Sequence, residues 1–415
     1  MNKAFATLNQ VQGDRKSSVS RACLTKRTTK PKAMSVILSL QSIKPQNLTP
    51  KPITENTQIS GRRIPAYLLI KQQRKGNTVD KALKNSLNEL IENFEKAKIL
   101  VIGDIILDEY LWGKTNRYSP EAPVPILEVK RKTYLPGGAA NVANNIASLG
   151  AKVYLLGVLG EDLYCSVISD LLKKHKINSD FVINDPSRPT TVKTRLIAQN
   201  NKHLARVDNE TDEPVSAEIQ KQIYKNLEKV IDEVDLIILS DYVKGVLTGK
   251  LVKDIVKLAN RHDKTILMDP KGQDFSKYSG VDILVPNMDE ALIATKSSRI
   301  RPIKEIAADL RKICLADKVI ITMSADGAYY YDGIDEIVME SYSTEVYDAT
   351  GAGDTFVATL GLALAVSGMD YEKSLMLANY AAAVAVKKVG TFAIKPVQIK
   401  ELVKVAYNNS GANIG

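Results

Sequence analysis

The sequence predicts an α/β fold: a mostly parallel sheet with helices on both faces, plus a small β lid. Three observations predict it. Short apolar runs end in polar residues, as in Ile99-Leu100-Val101-Ile102-Gly103-Asp104, which marks strands buried on both faces. Runs with helical spacing alternate with those strands, which is the βα rhythm of a parallel sheet. Two segments, Tyr110 to Tyr134 and Pro189 to Asp208, break the rhythm with polar–apolar alternation.

The elements follow in order. Lys81 to Lys98 carries Ala82, Leu83, Leu87, Leu90, Ile91 and Phe94 at helical spacing. Ile99 to Asp104 reads as the first strand. Val153 to Val158 is a strand, and Asp162 to Lys174 is the helix after it. Leu236 to Leu239 is a strand ending at Ser240-Asp241, followed by a helix from Lys250 to Arg261. Thr265 to Met268 is a strand ending at Asp269-Pro270, and Ile283 to Val285 is one ending at Pro286-Asn287. A helix over Lys304 to Ala316 and a strand over Lys318 to Thr322 continue the rhythm. In such sheets ligands bind at the carboxyl ends of strands. Asp104, Asp241, Asp269, Lys271, Asn287 and Ser324 cluster there. The two alternating segments read as short antiparallel strands beside that edge. They would close over a ligand and exclude water, or form an exposed hairpin with no part in the chemistry. Their apolar face also suits pairing with a second copy.

Asp348-Ala349-Thr350-Gly351-Ala352-Gly353-Asp354 leads straight into the apolar, Ala-rich stretch Thr355 to Val366. The pattern predicts a turn that opens a helix. Free N–H groups at Gly351, Ala352 and Gly353 would lie at its positive end, where a phosphate or a developing negative charge is held. Asp354 would point into the same place and accept a proton from a hydroxyl. An anion hole with a base is what phosphoryl transfer to an alcohol requires. The bland reading is a Gly-rich turn capped by an acid. Pro136-Gly137-Gly138-Ala139-Ala140-Asn141 offers a second close approach to backbone, and Asn141 can both donate to and accept from sugar hydroxyls. Its bland reading is a tight turn before a packed helix.

Composition narrows the function classes. The 415 residues carry a net charge of +10, but residues 1–80 hold 15 Lys/Arg against 3 Asp/Glu. The remainder is therefore close to neutral, and the basic balance gives no argument for nucleic acid. Residues 1–79 read as a disordered basic leader, rich in Lys, Arg, Ser, Thr, Gln and Pro. Two origins stand side by side: a segment like a transit peptide, or translation from an upstream start. Residues 408–415 read as a flexible tail. No apolar run reaches the roughly 18 residues of a membrane span. Cys23, Cys165 and Cys314 are scattered, which suggests a reducing, cytoplasmic setting and no zinc site. The three histidines, His175, His203 and His262, are too far apart for a metal pair.

Gly137-Gly138-x-x-Asn141, Asn287-x-x-Glu290 and Gly351-Ala352-Gly353-Asp354 occur in this order. Together they resemble the ribokinase-like (PfkB) carbohydrate kinase family, over residues 97 to 405. Ser119-Pro120-Glu121-Ala122-Pro123-Val124-Pro125, Ser240-Asp241-Tyr242-x-Lys244-Gly245 and Asp269-Pro270-Lys271-Gly272 resemble the heptose-7-phosphate kinases within it. The resemblance implies a kinase domain over 80–407 that uses ATP and Mg²⁺ to phosphorylate the anomeric hydroxyl of D-glycero-β-D-manno-heptose 7-phosphate, on the way to ADP-heptose and the lipopolysaccharide core. It makes Asp354 the general base, and Gly351, Ala352 and Gly353 the stabilisers of the transferring phosphoryl group. Asn287 and Glu290 would arrange Mg²⁺ through water, although Glu290 also reads as a capping-box partner. Thr322, Ser324 and Gly327 would meet the nucleotide, and Asn379 and Gly390 would flank the adenine. Met323 stands where these kinases commonly have Arg. Asp348 and Thr350 would contribute to a monovalent cation site for K⁺. Asp104, Asp108, Gly137, Gly138, Asn141 and Asp241 are the sugar-side candidates. Lys193, Arg195, Arg206, Lys244 and Lys271 are the cations for the sugar's phosphate, with Lys271 favoured. A homodimer paired through the lid is expected. No histidine follows His262, so the His-x-Gly-His adenylyltransferase often fused to this kinase is not expected. The alternatives are a kinase for another sugar, of ribokinase or fructokinase type, or a non-catalytic sugar sensor on the same scaffold.

Overall fold

The computed structural model describes residues 77–342, 346–388 and 390–408. The expected leader lies outside the described residues except for its last three positions, which open a helix; the expected tail lies outside them except for Asn408. That first helix, α1 (Asn77–Asn93), is followed by a short 3-10 turn over Phe94–Lys96. It therefore stops short of Lys98, where the first strand begins.

Among the described residues a nine-stranded sheet forms the frame. Its strands are β1 (Lys98–Gly103), β4 (Lys152–Leu159), β5 (Ile183–Asn184), β8 (Leu236–Ser240), β9 (Thr265–Asp269), β10 (Ile283–Leu284), β11 (Lys318–Thr322), β12 (Ala328–Tyr331) and β13 (Glu336–Met339). The order is β13-β12-β11-β10-β9-β8-β1-β4-β5. Neighbours from β5 to β11 are parallel, and β12 and β13 close one edge as antiparallel strands. The two-residue period of a strand sorts the side chains. Ile99 and Val101 enter one buried layer, while Leu100 and Ile102 enter the other. That is why the run is apolar throughout instead of alternating. The first layer is closed by α1, α2 (Ala139–Ser148), α8 (Ala352–Ser367), α9 (Tyr371–Ala385) and α10 (Pro396–Asn408). The second is closed by α4 (Ala217–Val230), α5 (Gly249–Arg261) and α7 (Ile303–Cys314). Among the described residues the helices α3 (Leu163–Lys174) and α6 (Met288–Ala294) complete the set. Among the described residues no helix is long and apolar enough to cross a membrane.

A second sheet has the order β3-β2-β6-β7, with β2 (Ile105–Tyr118), β3 (Pro125–Gly138), β6 (Thr191–Ile197) and β7 (His203–Asn209). The two segments singled out by alternation do form one sheet. Their strands are longer than expected, because Ile105, Ile106 and Leu107 continue from β1 into the core before the ladder runs out toward solvent. The pairing is also mixed: β2 and β6 are parallel, while β2–β3 and β6–β7 are antiparallel. The base of this sheet is thus rooted at the carboxyl ends of the frame strands.

Candidate active site

Asp354 lies in the first turn of α8, beside the carboxyl ends of β8 and β9. Gly351 caps this helix in a left-handed conformation, with φ of 76°. A side chain there would also press on Asn141, whose amide nitrogen would lie 3.0 Å from its Cβ. Glycine is therefore demanded twice at one position. Nothing lies within 4 Å of the place where a Cβ on Gly353 would point, so the helix start is open on that side.

The Asp354 carboxylate is buried and gripped at both oxygens. Asn141 Nδ2 donates to Oδ2 at 2.6 Å, and Tyr242 Oη donates to Oδ1 at 2.5 Å. Asn141 is itself held by Asn145, which also accepts from Thr355 Oγ1 on α8. Burial and the nearby charge of Asp269 push the Asp354 carboxyl up to about 6, against the pull of Tyr242, Asn141 and Lys271. A carboxylate so placed is ionised at neutral pH yet basic enough to take a proton.

Lys271 stands at the end of β9. Its Nζ is 2.8 Å from Asp269 Oδ1, 3.3 Å from Glu290 Oε1 and 5.6 Å from the centre of the Tyr242 ring. Burial alone would drive its pKa down, but Asp269 and Glu290 more than reverse that and keep the ammonium charged. Asn287 and Glu290 form a reciprocal capping box at the start of α6: Glu290 N donates to Asn287 Oδ1, and Asn287 N donates to Glu290 Oε2. Glu290 thus performs the capping task that its spacing suggested, and it also faces Lys271.

A cleft of about 300 Å³ runs from this point. Asn287, Thr322, Ser324, Gly327, Ala352, Gly353 and Asn379 are among the residues that line it. Asn379 donates to the carbonyl of Glu340 along one wall. Gly390 is not brought to this lining. Its N–H donates to Asp348 Oδ2, and a Cβ on it would lie 3.1 Å from Tyr110 Oη at the root of the lid. The structure thus does not bring it together with Asn379 on that lining, where both were expected to flank the adenine. Asp348 also accepts from Thr350 N. Burial works against its charge, but these two N–H groups hold its carboxyl below the ordinary range.

The lid end is built from ion pairs. Arg195 on β6 donates to Asp108 on β2 at 2.5 Å and lies over the Tyr110 ring. Burial pushes the Asp108 carboxyl up in spite of that cation. Lys193 and Lys244 both reach Glu210, at 2.7 and 2.8 Å, and Lys193 also meets Asp208 at 3.3 Å. Gly137 leaves room for Asp108, since a Cβ there would come within 2.7 Å of its Oδ2. Gly138, with φ of 55°, turns the chain from β3 into α2.

Four expected site residues have other work. Asp104 accepts from the N–H groups of Tyr242, Lys244 and Val246, so its oxygens organise the loop after β8. Burial and Asp241 push its carboxyl up to about 7. Asp241 accepts from Val243 N and Tyr278 Oη and meets Lys277 at 2.5 Å. Arg206 is largely exposed and turned onto Asp208. Lys271, favoured for a distal phosphate, lies instead with Asp269 and Glu290 on the Asp354 side. Two contributors were missed. Tyr242 sits inside a quoted motif, but nothing local tells that its hydroxyl spans to residue 354. Asp269 was seen only as a polar strand end, although one of its buried oxygens, Oδ2, has no hydrogen-bond partner.

Comparison with known proteins agrees with this architecture. Residues 96–398 match the model of the pfkB family carbohydrate kinases. The bifunctional protein HldE of Helicobacter pylori is 44% identical over 297 residues, covering 71% of this chain and 64% of that protein. HldE of Desulfatibacillum aliphaticivorans is 39% identical over 310 residues, covering 74% and 63%. The chain thus spans about 64% of the length of the relatives it matches. Among solved structures, Arabidopsis thaliana ribokinase complexed with ribose and ATP superposes with a TM-score of 0.60 at 21% identity, covering 74% of this chain and 99% of that one. Phosphofructokinase-2 of Escherichia coli in complex with potassium gives 0.61 at 17% identity, covering 74% and 98%. At such identities these two likenesses speak for the fold.

Proposed function

The chain belongs to the pfkB family of carbohydrate kinases, and from that premise we propose that it transfers the γ-phosphoryl group of ATP to the anomeric hydroxyl of D-glycero-β-D-manno-heptose 7-phosphate. The observation that carries the chemistry is the Asp354 carboxylate, held between Asn141 and Tyr242 at the open start of α8. In this reading the acceptor O–H gives its proton to Asp354 as its oxygen attacks the γ-phosphorus. The bond from that phosphorus to the β–γ bridging oxygen breaks, and ADP leaves. The N–H group of Gly353 faces the charge on the transferring group, whereas that of Ala352, expected to be free, donates to the Ala349 carbonyl at 3.2 Å. Lys271 offers its ammonium to the same phosphoryl oxygens. Nucleotide fills the cleft lined by Thr322, Ser324, Gly327 and Asn379.

A divalent cation such as Mg²⁺ is part of this reading. Among the described residues no group of three or more His, Cys, Asp or Glu side chains could hold a metal ion. Asn287 and Glu290 supply only hard oxygens, which suits a cation that keeps most of its water and phosphate ligands. It would neutralise phosphate charge. A K⁺ requirement through the loop of Asp348 and Thr350 belongs to the same reading, tested by replacing K⁺ with tetramethylammonium.

The substrate's own phosphate is assigned to Lys193 and Lys244, which share Glu210, with Arg195 and Asp108 beside them on the sugar. The similarity to HldE over the kinase part supports heptose phosphate. The kinase domain is taken as residues 80–407, acting in the cytoplasm where ATP is at hand. Two copies pair through the lid, which exposes Val124, Val129 and Val207; sedimentation of the protein tests this. The direct test of function is ADP release on a panel of heptose 7-phosphate, heptose, ribose, fructose and fructose 6-phosphate. Heptose 7-phosphate should give the highest kcat/KM, and preference for an unphosphorylated sugar would refute the assignment.

A further inference from the structure

We propose that Tyr242 is a positioning residue for Asp354, holding the carboxylate in its reactive rotamer and ionised until the acceptor hydroxyl arrives. This rests on the reading of Asp354 as the base. The first observation is the contact itself, a hydroxyl 2.5 Å from Asp354 Oδ1, while Asn141 takes the other oxygen. Each oxygen is left with a further lone pair, so a substrate hydroxyl can still approach.

The second observation is the loop that delivers the ring. Tyr242 is the second residue after β8, and its own N–H donates to Asp104 Oδ2 at 2.7 Å. Lys244 N and Val246 N donate to the same carboxylate, at 3.0 and 3.3 Å. Val243, the next residue, has φ of 58°. A β-branched residue at positive φ is strained and persists only where its surroundings over-determine it. Here they do. Val243 N donates to Asp241 Oδ1, and Asp241 is held in turn by Tyr278 and Lys277. Gly245 follows at φ of 85°, where a Cβ would lie 2.0 Å from the Glu213 carbonyl oxygen. Two buried carboxylates and a strained residue thus fix one loop, and that loop aims a single hydroxyl at the base.

The third observation is the electrostatic surround. The charged groups acting on Asp354 are Asp269 and Lys271, both from the end of β9, with the Tyr242 phenol from the loop after β8. Lys271 is engaged by Asp269 and Glu290, which leaves Tyr242 and Asn141 as the direct donors to the carboxylate. A hydrogen bond donated to the ionised form favours that form. The phenol itself stays protonated, since burial and then Asp354 raise its pKa well above the usual value.

The test is Tyr242→Phe, which keeps the ring and removes the donor. The acid limb of the kcat/KM–pH profile should move up by roughly one to two pH units, while KM for ATP stays within about twofold. In the Asp354→Asn background the same change should cost nothing further, because the residue acts only through that carboxylate. An unmoved acid limb, or losses that multiply in the double variant, would overturn the proposal. Full activity of Asp354→Asn alone would instead remove the base assignment on which it rests.

Discussion

At the helix end of the site Asp354 is held by two neutral donors, whereas at the lid end Lys193, Arg195 and Lys244 are each already paired with a carboxylate. In the proposed function the difference separates two tasks. A base must be able to gain a proton, so a full positive charge against it would be counterproductive. Neutral donors orient it while burial and Asp269 lift its carboxyl to about 6. A phosphate subsite must hold cations in place before the ligand comes. In the proposed function pairing with Glu210 does so; burial raises the Glu210 carboxyl, but Lys193 and Lys244 hold it below its usual value. A ligand without charge then has little to gain from that end, while a phosphate competes with Glu210 for two ammonium groups.

The largest effect expected is at the helix end. Asp354→Asn should lower turnover by about two to four orders of magnitude through loss of the base. The same change should leave Tm at neutral pH unchanged or higher. Because the folded-state pKa of this carboxyl is raised, the protein loses stability as pH rises from the ordinary carboxylate range to about 6, and Asn removes that cost. A clear fall in Tm would show that the carboxylate holds the fold together. Next is Lys271→Ala. Its place beside Asp269 and Glu290 predicts a rise of about tenfold to a hundredfold in KM for ATP, with KM for the sugar phosphate unmoved. The opposite split would return Lys271 to the substrate's phosphate. Smaller again is the pH dependence of the unaltered protein. Activity should fall about tenfold per unit below a limb near pH 6. A limb near 4 would mean that the carboxylate is solvated during turnover. The smallest effect belongs to Asn287→Ala, which should cost about 1 kcal/mol in denaturant unfolding by breaking the capping box at α6.

Much of the frame was legible because it rests on period alone. Ile99 to Ile102 had to feed two buried layers, and Lys318 to Thr322 was found at its observed bounds. The lid was legible as alternation, but its lengths were not, since β2 stays apolar where it leaves β1 and shifts register at Trp112/Gly113 and again between Lys114 and Arg117. The Gly-rich turn before α8 was readable because left-handed backbone leaves a mark in sequence. Lys271 was found, but its pairing with Asp269 and Glu290 was not, because a strand-end lysine carries no sign of which carboxylates it will meet. Asp104 looked like a ligand for the same reason: a carboxylate that binds a backbone N–H group across 138 residues is indistinguishable, in one dimension, from one that binds sugar. Tyr242 depends wholly on a loop held by Asp104 and Asp241.

The most direct test of the two-ended account is the ratio of kcat/KM for heptose 7-phosphate to that for unphosphorylated heptose, measured in the unaltered protein and in the Lys193→Ala, Lys244→Ala double variant. The account predicts a ratio well above one that collapses by about tenfold or more in the variant, with the value for unphosphorylated heptose held within a few-fold. A ratio that survives the double substitution, or a parallel loss for both sugars, would contradict it.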